Sequence, residues 1–279
     1  MEIDLALLGI LAAIAFFAGF IHSAIGFGFG IVAISLLPFF IDGRSAHVIV
    51  SVSSVPMLMM AAWAYRDGVD WKSLRPALLG AAIFLPLGFA LFEWLPLDWL
   101  VRGTGLGILG MVWMSLRKHE PNSTADKQTA ACFFAGAAGG FLAGAVSIAG
   151  PPVAAFGLKQ DWNQNRFKAF VTQCLLIIAF YKFGLLIFRG HVTVGSGWSI
   201  LIIAILSIAG VQAGMLASRR ISPARFKRLV AVSLISVSCL MMYRGQPDQD
   251  ETTTVPEAKG DAVEMKEVRD PNERVFPNP

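Results

Sequence analysis

The chain has 279 residues, 55% hydrophobic and 15% charged, with a formal net charge of +4 and a mean hydropathy of +0.62. A soluble domain is about one quarter charged, so this composition excludes a soluble globular fold and points to a polytopic membrane protein. The charge is split: from Gly245 onward nine acidic residues accompany four basic ones, whereas the rest of the chain carries 19 basic against 10 acidic side chains. That basic excess lies in loops between apolar segments, so it is a topology signal rather than a nucleic-acid footprint.

In chain order, the opening Met1-Glu2-Ile3-Asp4 lacks the basic region of a secretory signal, so the first segment is expected to be retained. Apolar segments follow at Leu5–Phe40, His47–Ala64, Leu74–Trp94 and Trp99–Leu116. Four more run Thr129–Leu158, Phe167–Phe188, Ser196–Ala217 and Phe226–Tyr243. A crossing needs about 20 apolar residues. Leu5–Phe40 and Thr129–Leu158 are too long for one straight helix and too short for two full ones. Each carries a glycine-rich break, at Gly26-Phe27-Gly28-Phe29-Gly30 and at Ser147-Ile148-Ala149-Gly150-Pro151-Pro152.

The breaks repeat. Gly19-Phe20 aligns with Gly140-Phe141 at an offset of 121 residues, and Gly88 and Gly214 fall at similar places two segments later. The sequence therefore predicts an all-α polytopic membrane protein of two homologous repeats. Each repeat is a broken helix plus three transmembrane helices. The units are residues 1–120, residues 121–244, and a polar tail, 245–279, expected to be disordered. Paired interruptions at matching points of two halves mark the binding site of a transporter, because unpaired backbone persists at membrane depth only where it lines a cavity or is buried in protein.

Topology depends on whether each broken helix crosses or dips and returns. If it crosses, the loop cations divide eight against ten. If it is re-entrant, they divide fourteen against four, with only Arg44, Arg102, Arg189 and Arg244 on the minor side. The positive-inside rule favours the re-entrant form, in which the repeats are inverted and both termini lie outside the cytoplasm.

The breaks resemble those of the sulfite exporter TauE/SafE family, the TSUP membrane proteins. The features that carry the resemblance are Gly19-x6-Gly26-x-Gly28-x-Gly30 with Pro38, Gly140-x3-Gly144 with Gly150-Pro151-Pro152, the duplicated four-segment layout, and the Gly68-Val69-Asp70-Trp71 turn. It covers roughly residues 5 to 243. In the second repeat Ala149 and Pro151 stand where the first has Gly28 and Gly30, so the half-sites differ. The resemblance implies a secondary transporter of small sulfur-containing anions such as sulfite or sulfonates. The setting it implies is the cytoplasmic membrane of a bacterium, the inner membrane, with no enzymatic activity. A carrier of short carboxylic acids, or an anion channel, stays open, as do substrate, direction, coupling ion and a homodimeric state.

An oxyanion needs hydrogen-bond donors in place of water, and half-helix N-termini supply them. Gly26, Gly28, Gly30, Ser147 and Gly150 are the candidate cradle, whereas Gly19, Gly139, Gly140 and Gly144 suit close helix packing. Pro151 and Pro152 suit the first turn of a new helix. His22, beside Ser23, is either a donor or proton carrier, or a packed histidine bonded to freed backbone. Ser54 and Gln173 are candidate donors on the next helix of each half. Arg44 and Arg166 are candidates for attracting anions at the two mouths. Lys182, between Tyr181 and Phe183, is expected to snorkel to the interface, with contact to the anion as the alternative. The acids before the tail lie in loops or at segment ends, against a carboxylate relay or a metal-cation path. No GxxxxGK[ST] sequence occurs. Cys132, Cys174 and Cys239 are expected to be packed, without redox or metal roles. No cofactor is expected; the expected partners are the lipid bilayer and a small anion, with no nucleic acid.

Overall fold

A computed structural model describes residues 5–41, 43–95, 125–191, 197–218 and 222–244, and every regular element among them is helical. The first half contains α1 (Leu5–Ile25), α2 (Phe29–Leu36), α3 (Gly43–Ala64) and α4 (Trp71–Trp94). The second contains α5 (Ala125–Val146), α6 (Gly150–Lys159), α7 (Gln164–Phe188), α8 (Gly197–Ser218) and α9 (Pro223–Arg244). The expected segment 99–116 and the tail 245–279 lie outside the described residues, as does the side chain of Arg44.

Six described helices, α1, α3, α4, α5, α7 and α8, are long and apolar enough to cross a membrane. Their outward faces suit lipid: Leu79, Ile83 and Leu87 recur at four-residue spacing on α4 and are all more than half exposed. The broken helices are unequal in their arms. At 1.5 Å per residue, α1 and α5 reach about 32 Å, whereas α2 and α6 reach only about 12–15 Å. The interruption comes late because Gly26 and Gly28 take φ of 103° and 120°, and Ser147 takes φ of 60°. Such values end a right-handed helix, and two of the three positions are glycine.

Local signals fix the other ends. Asp70 caps α4 by accepting from the Lys72 amide at 3.2 Å, and Asn163 caps α7 by accepting from the Arg166 amide at 2.8 Å. Gly190, at φ 71°, ends α7, with Gly190 N–H donating to Ile187 O and His191 N–H to Leu186 O.

The most extensive helix contacts join one half to the other. α4 lies along α5, and α1 lies along α8. Both seams are glycine-lined and parallel: Ala77, Ala81 and Leu85 meet Gly136, Gly140 and Gly144, while Phe16 and Phe20 meet Gly210 and Gly214. The two seams use equivalent contacts. A Cβ on Gly88 would collide with Phe141 O, and a Cβ on Gly214 would collide with Phe20 O. Small residues let backbones approach closely where lipid supplies no hydrophobic drive.

Helix directions follow from the remaining contacts. α3 and α7 are antiparallel, since Tyr65 neighbours Lys168 while Ala62 accepts from Gln173. α4 and α7 are parallel, since Asp70 pairs with Arg166 at one end and Glu93 with His191 at the other. α6 folds back along α5, which brings Val153 against Gly139 and Gln160 to Gln128.

Candidate functional site

The two breaks meet. Gly30 lies against the Ser147 carbonyl, and a Cβ on Gly150 would come 2.8 Å from the Cβ of Phe27. Beside this junction is a cavity of about 60 Å³. On this scale one water-sized centre needs about 10–15 Å³, so the space holds a few waters or one small anion. The first turn of α2, Gly28 to Ile31, lines it, as do parts of α3, the Ser147–Gly150 break and α7.

Ser147 is the polar hub. Lys182 Nζ donates to its Oγ at 2.6 Å. His47 Nδ1 lies 3.0 Å and Ser51 Oγ 3.2 Å from the same oxygen. Ser51 Oγ also donates to His47 O at 2.6 Å. The His47 ring stacks on Phe92, with centroids 3.9 Å apart. This stack fixes the plane of the imidazole, whose Nε2 is buried without a partner among the described residues.

Lys182 is 3% exposed. The sequence-based expectation that it snorkels is corrected here: Tyr181 faces outward, whereas Lys182 belongs to the buried stripe Leu175, Ile178, Ala179, Lys182, Leu186 of α7. Among the described residues no carboxylate pairs with it; their acidic ion pairs are Arg66–Asp67, Arg166–Asp70 and Glu93 with Arg189 and His191. An ammonium without an anionic partner at such depth is costly.

Of the residues expected to bind, His22, Gly28, Gly30, Ser54, Ser147 and Gly150 line this one cavity. His22 is 2% exposed and its Nε2 has no partner among the described residues. Ser54 Oγ donates its hydrogen to Ser51 O at 2.9 Å, so the hydroxyl bonds its own helix rather than facing the cavity as a donor. The two cradles differ in donors. The first turn of α2 offers the amides of Phe29, Gly30 and Ile31, whereas Pro151 and Pro152 in the first turn of α6 have none to offer.

Four expected residues lie elsewhere. Gln173 Nε2 donates to Ala62 O at 3.0 Å, bonding α7 to α3. Ser23 and Gly26 belong to a second cluster around Lys168, whose Nζ donates to Ser23 O at 2.7 Å and lies 5.4 Å from the centroids of Tyr65 and Phe226. Arg166 is half exposed, ion-paired with Asp70 at 2.6 Å and placed over the Trp162 ring. Burial tends to raise the Asp70 carboxyl, but hydrogen bonds from Arg166 and Ser73 and the guanidinium charge outweigh it, holding it below the usual value of 3.8.

His47 and Lys168 were not singled out from the sequence. They are 121 residues apart, the offset that aligns Gly19-Phe20 with Gly140-Phe141. Each is buried near the start of the helix after a break, and each reaches the break of the opposite half. Applying the offset to polar residues, rather than to glycines alone, would have found the pair.

The family model described as sulfite exporter TauE/SafE matches residues 11–241 of the chain. No curated protein and no solved structure matches it.

Proposed function

The chain belongs to the sulfite exporter TauE/SafE family, whose members are membrane transporters of sulfur anions, and on that premise we propose that it is a secondary transporter holding one small anion between the two breaks. The observation that carries this reading is Lys182, a buried amine at the cavity whose hydrogen-bond partner among the described residues is the Ser147 hydroxyl. An anion in the cavity would hold the Lys182 amine protonated as its counter-charge, and the α2 amides and His22 Nε2 complete the shell. A sulfonate or sulfite fits this donor set. A short carboxylate fits it too and is the second reading.

The proposed topology is an inverted repeat of re-entrant helices. The antiparallel α3/α7 pair and the parallel α4/α7, α4/α5 and α1/α8 pairs support it. Were each broken helix to cross once, α3 and α7 would run parallel. In this arrangement Arg66, Lys72, Lys127, Lys159 and Arg166 share one end, which the positive-inside rule assigns to the cytoplasm of a bacterial inner membrane. Toward that side lies the cluster of Lys168, Tyr65, Phe167 and Phe226, toward the other the His47–Phe92 stack, and these are the proposed gates. Rocking of one half against the other along the glycine seams opens these in turn.

The test is uptake of labelled sulfite, alkylsulfonate and short carboxylate into vesicles of purified protein, with counterflow. Saturable uptake that shows counterflow and is stimulated by internal substrate is expected. Unsaturable flux without counterflow would mean a pore instead.

A further inference from the structure

Lys182 and Ser147 line the cavity, whereas His47 stands behind Ser147, off the cavity wall. Ser147 Oγ takes the Lys182 N–H at 2.6 Å and has one hydrogen of its own to give. The nearest acceptor for it is His47 Nδ1 at 3.0 Å, ahead of Ser51 Oγ at 3.2 Å and His47 O at 3.3 Å. Amine, hydroxyl and imidazole thus form one line of hydrogen bonds leading away from the cavity. Its last atom, His47 Nε2, is buried without a partner among the described residues. An imidazole with one nitrogen on a hydroxyl and the other free can take a proton at one side and give one up at the other.

The line continues toward the end of the molecule opposite Arg166. His47 stacks on Phe92, Phe92 packs on Phe89 with centroids 6.0 Å apart, and Phe89 meets the His191 ring edge-on at 5.9 Å. His191 Nε2 lies 3.2 Å from Glu93 Oε1, and both side chains are partly exposed. Water admitted at the His47–Phe92 stack joins the two imidazoles. Among the described residues the other ionisable side chains facing this route are His22 on α1, which lines the cavity, and Arg189, which pairs with Glu93. The residues of α2, α5 and α6 that line the cavity carry none.

Charge balance decides what such a route does. An anion without the Lys182 proton, or that proton without an anion, leaves a net charge at membrane depth, which is costly. Neutral amine with an empty cavity, and ammonium with a bound anion, leave none. We propose that the protein carries one proton with each monovalent anion, and that the proton reaches Lys182 through His47 and Ser147 rather than through the cavity. The inference rests on the reading of this cavity as the transport site. A proton arriving at His47 Nε2 releases the one on Nδ1 to Ser147 Oγ, while the Ser147 hydrogen passes to the neutral Lys182 amine. Bonds Nδ1–H and Oγ–H break; Nε2–H, a new Oγ–H and a new Nζ–H form. One positive charge moves from imidazole to amine, and no electrons change hands.

The test is uptake of labelled ethanesulfonate by the full chain in vesicles, with either a pH gradient or a potassium diffusion potential imposed. This sulfonate stays a monoanion at every pH used, so any proton that moves with it is carried by the protein. A more acidic exterior should concentrate it inside about tenfold per pH unit, and the potential should have no effect. His47→Gln keeps a hydrogen-bonding group but relays no proton. It should slow net uptake roughly tenfold or more and slow exchange of labelled for unlabelled anion far less, because exchange leaves the proton on Lys182. Accumulation that follows the potential and ignores pH, in the wild type alone, would overturn proton coupling and leave the carrier standing. Net uptake and exchange slowed equally, or neither slowed, in His47→Gln would overturn the route through His47. No saturable ethanesulfonate uptake under either gradient would overturn the coupling together with the reading of the cavity.

Discussion

Lys182 Nζ and Ser147 Oγ lie 2.6 Å apart, joining a buried position late in α7 to the residue at which the second broken helix turns. Ser147 is the one non-glycine residue among those described with a left-handed backbone, at φ 60°. A serine in that conformation costs about 1–2 kcal/mol relative to a relaxed backbone, so its hydroxyl is held where glycine would be easier.

Ser147→Gly and Ser147→Ala separate backbone from hydroxyl. Both lose the contacts to Lys182, His47 and Ser51, and both should reduce uptake by about tenfold, the loss of roughly 1.4 kcal/mol. The glycine variant should unfold at a higher temperature than the alanine variant, by the equivalent of ~1 kcal/mol. Equal stabilities would show that the turn is unstrained.

His22 Nε2 is buried without a partner among the described residues. His22→Leu should therefore raise thermal stability, by about 1–3 kcal/mol, while it reduces anion uptake. A variant with full uptake would remove His22 from the pathway; one that unfolds more easily would make it a packing residue.

The two seams should respond alike. Gly88→Ala and Gly214→Ala each place a methyl against a facing carbonyl, and each should cost about 1–3 kcal/mol or more. Gly184→Ala meets nothing within 4 Å and should not destabilise. Thermal melts in detergent, or the fraction folded after extraction, give the comparison. Tolerance at Gly88 with collapse at Gly214 would break the proposed equivalence of the halves.

The Asp70–Arg166 pair predicts a pH dependence. Asp70 titrates below its ordinary value when folded, so the pair contributes stability above that ordinary value, and the contribution disappears as pH falls through the lowered one. Wild type should be more stable than Asp70→Asn at pH 6–7, and the difference should close below about pH 4. Uptake at neutral pH should change less than twofold in Arg166→Gln, since the guanidinium lies outside the cavity. A large rise in half-saturation would return Arg166 to the path.

Most of the fold was legible because lipid imposes simple rules. Seven of the eight apolar segments correspond to described helices within a few residues at most ends, and both breaks fall where glycine or Ser147 takes a positive φ. Pairing Gly88 with Gly214 by position was enough to find the seam contacts, since both lost side chains face a carbonyl of the partner half. The site was only partly legible. His22, Gly28 and Ser147 converge as their break positions suggested, yet Lys182 was misassigned because its aromatic neighbours imitate an interfacial anchor. Its place in a buried 3.6-residue stripe carried the better signal. Gln173 and Arg166 could not be placed from local sequence, because what they touch is set by the packing of one half on the other.

The most direct test of the central claim is titration of ethanesulfonate into the wild-type protein, Lys182→Arg and Lys182→Met in nanodiscs. The account predicts measurable binding for wild type, weakened binding for the arginine variant, and at least a hundredfold loss for the methionine variant, with its fold no less stable. Undiminished binding by a well-folded Lys182→Met protein would contradict it.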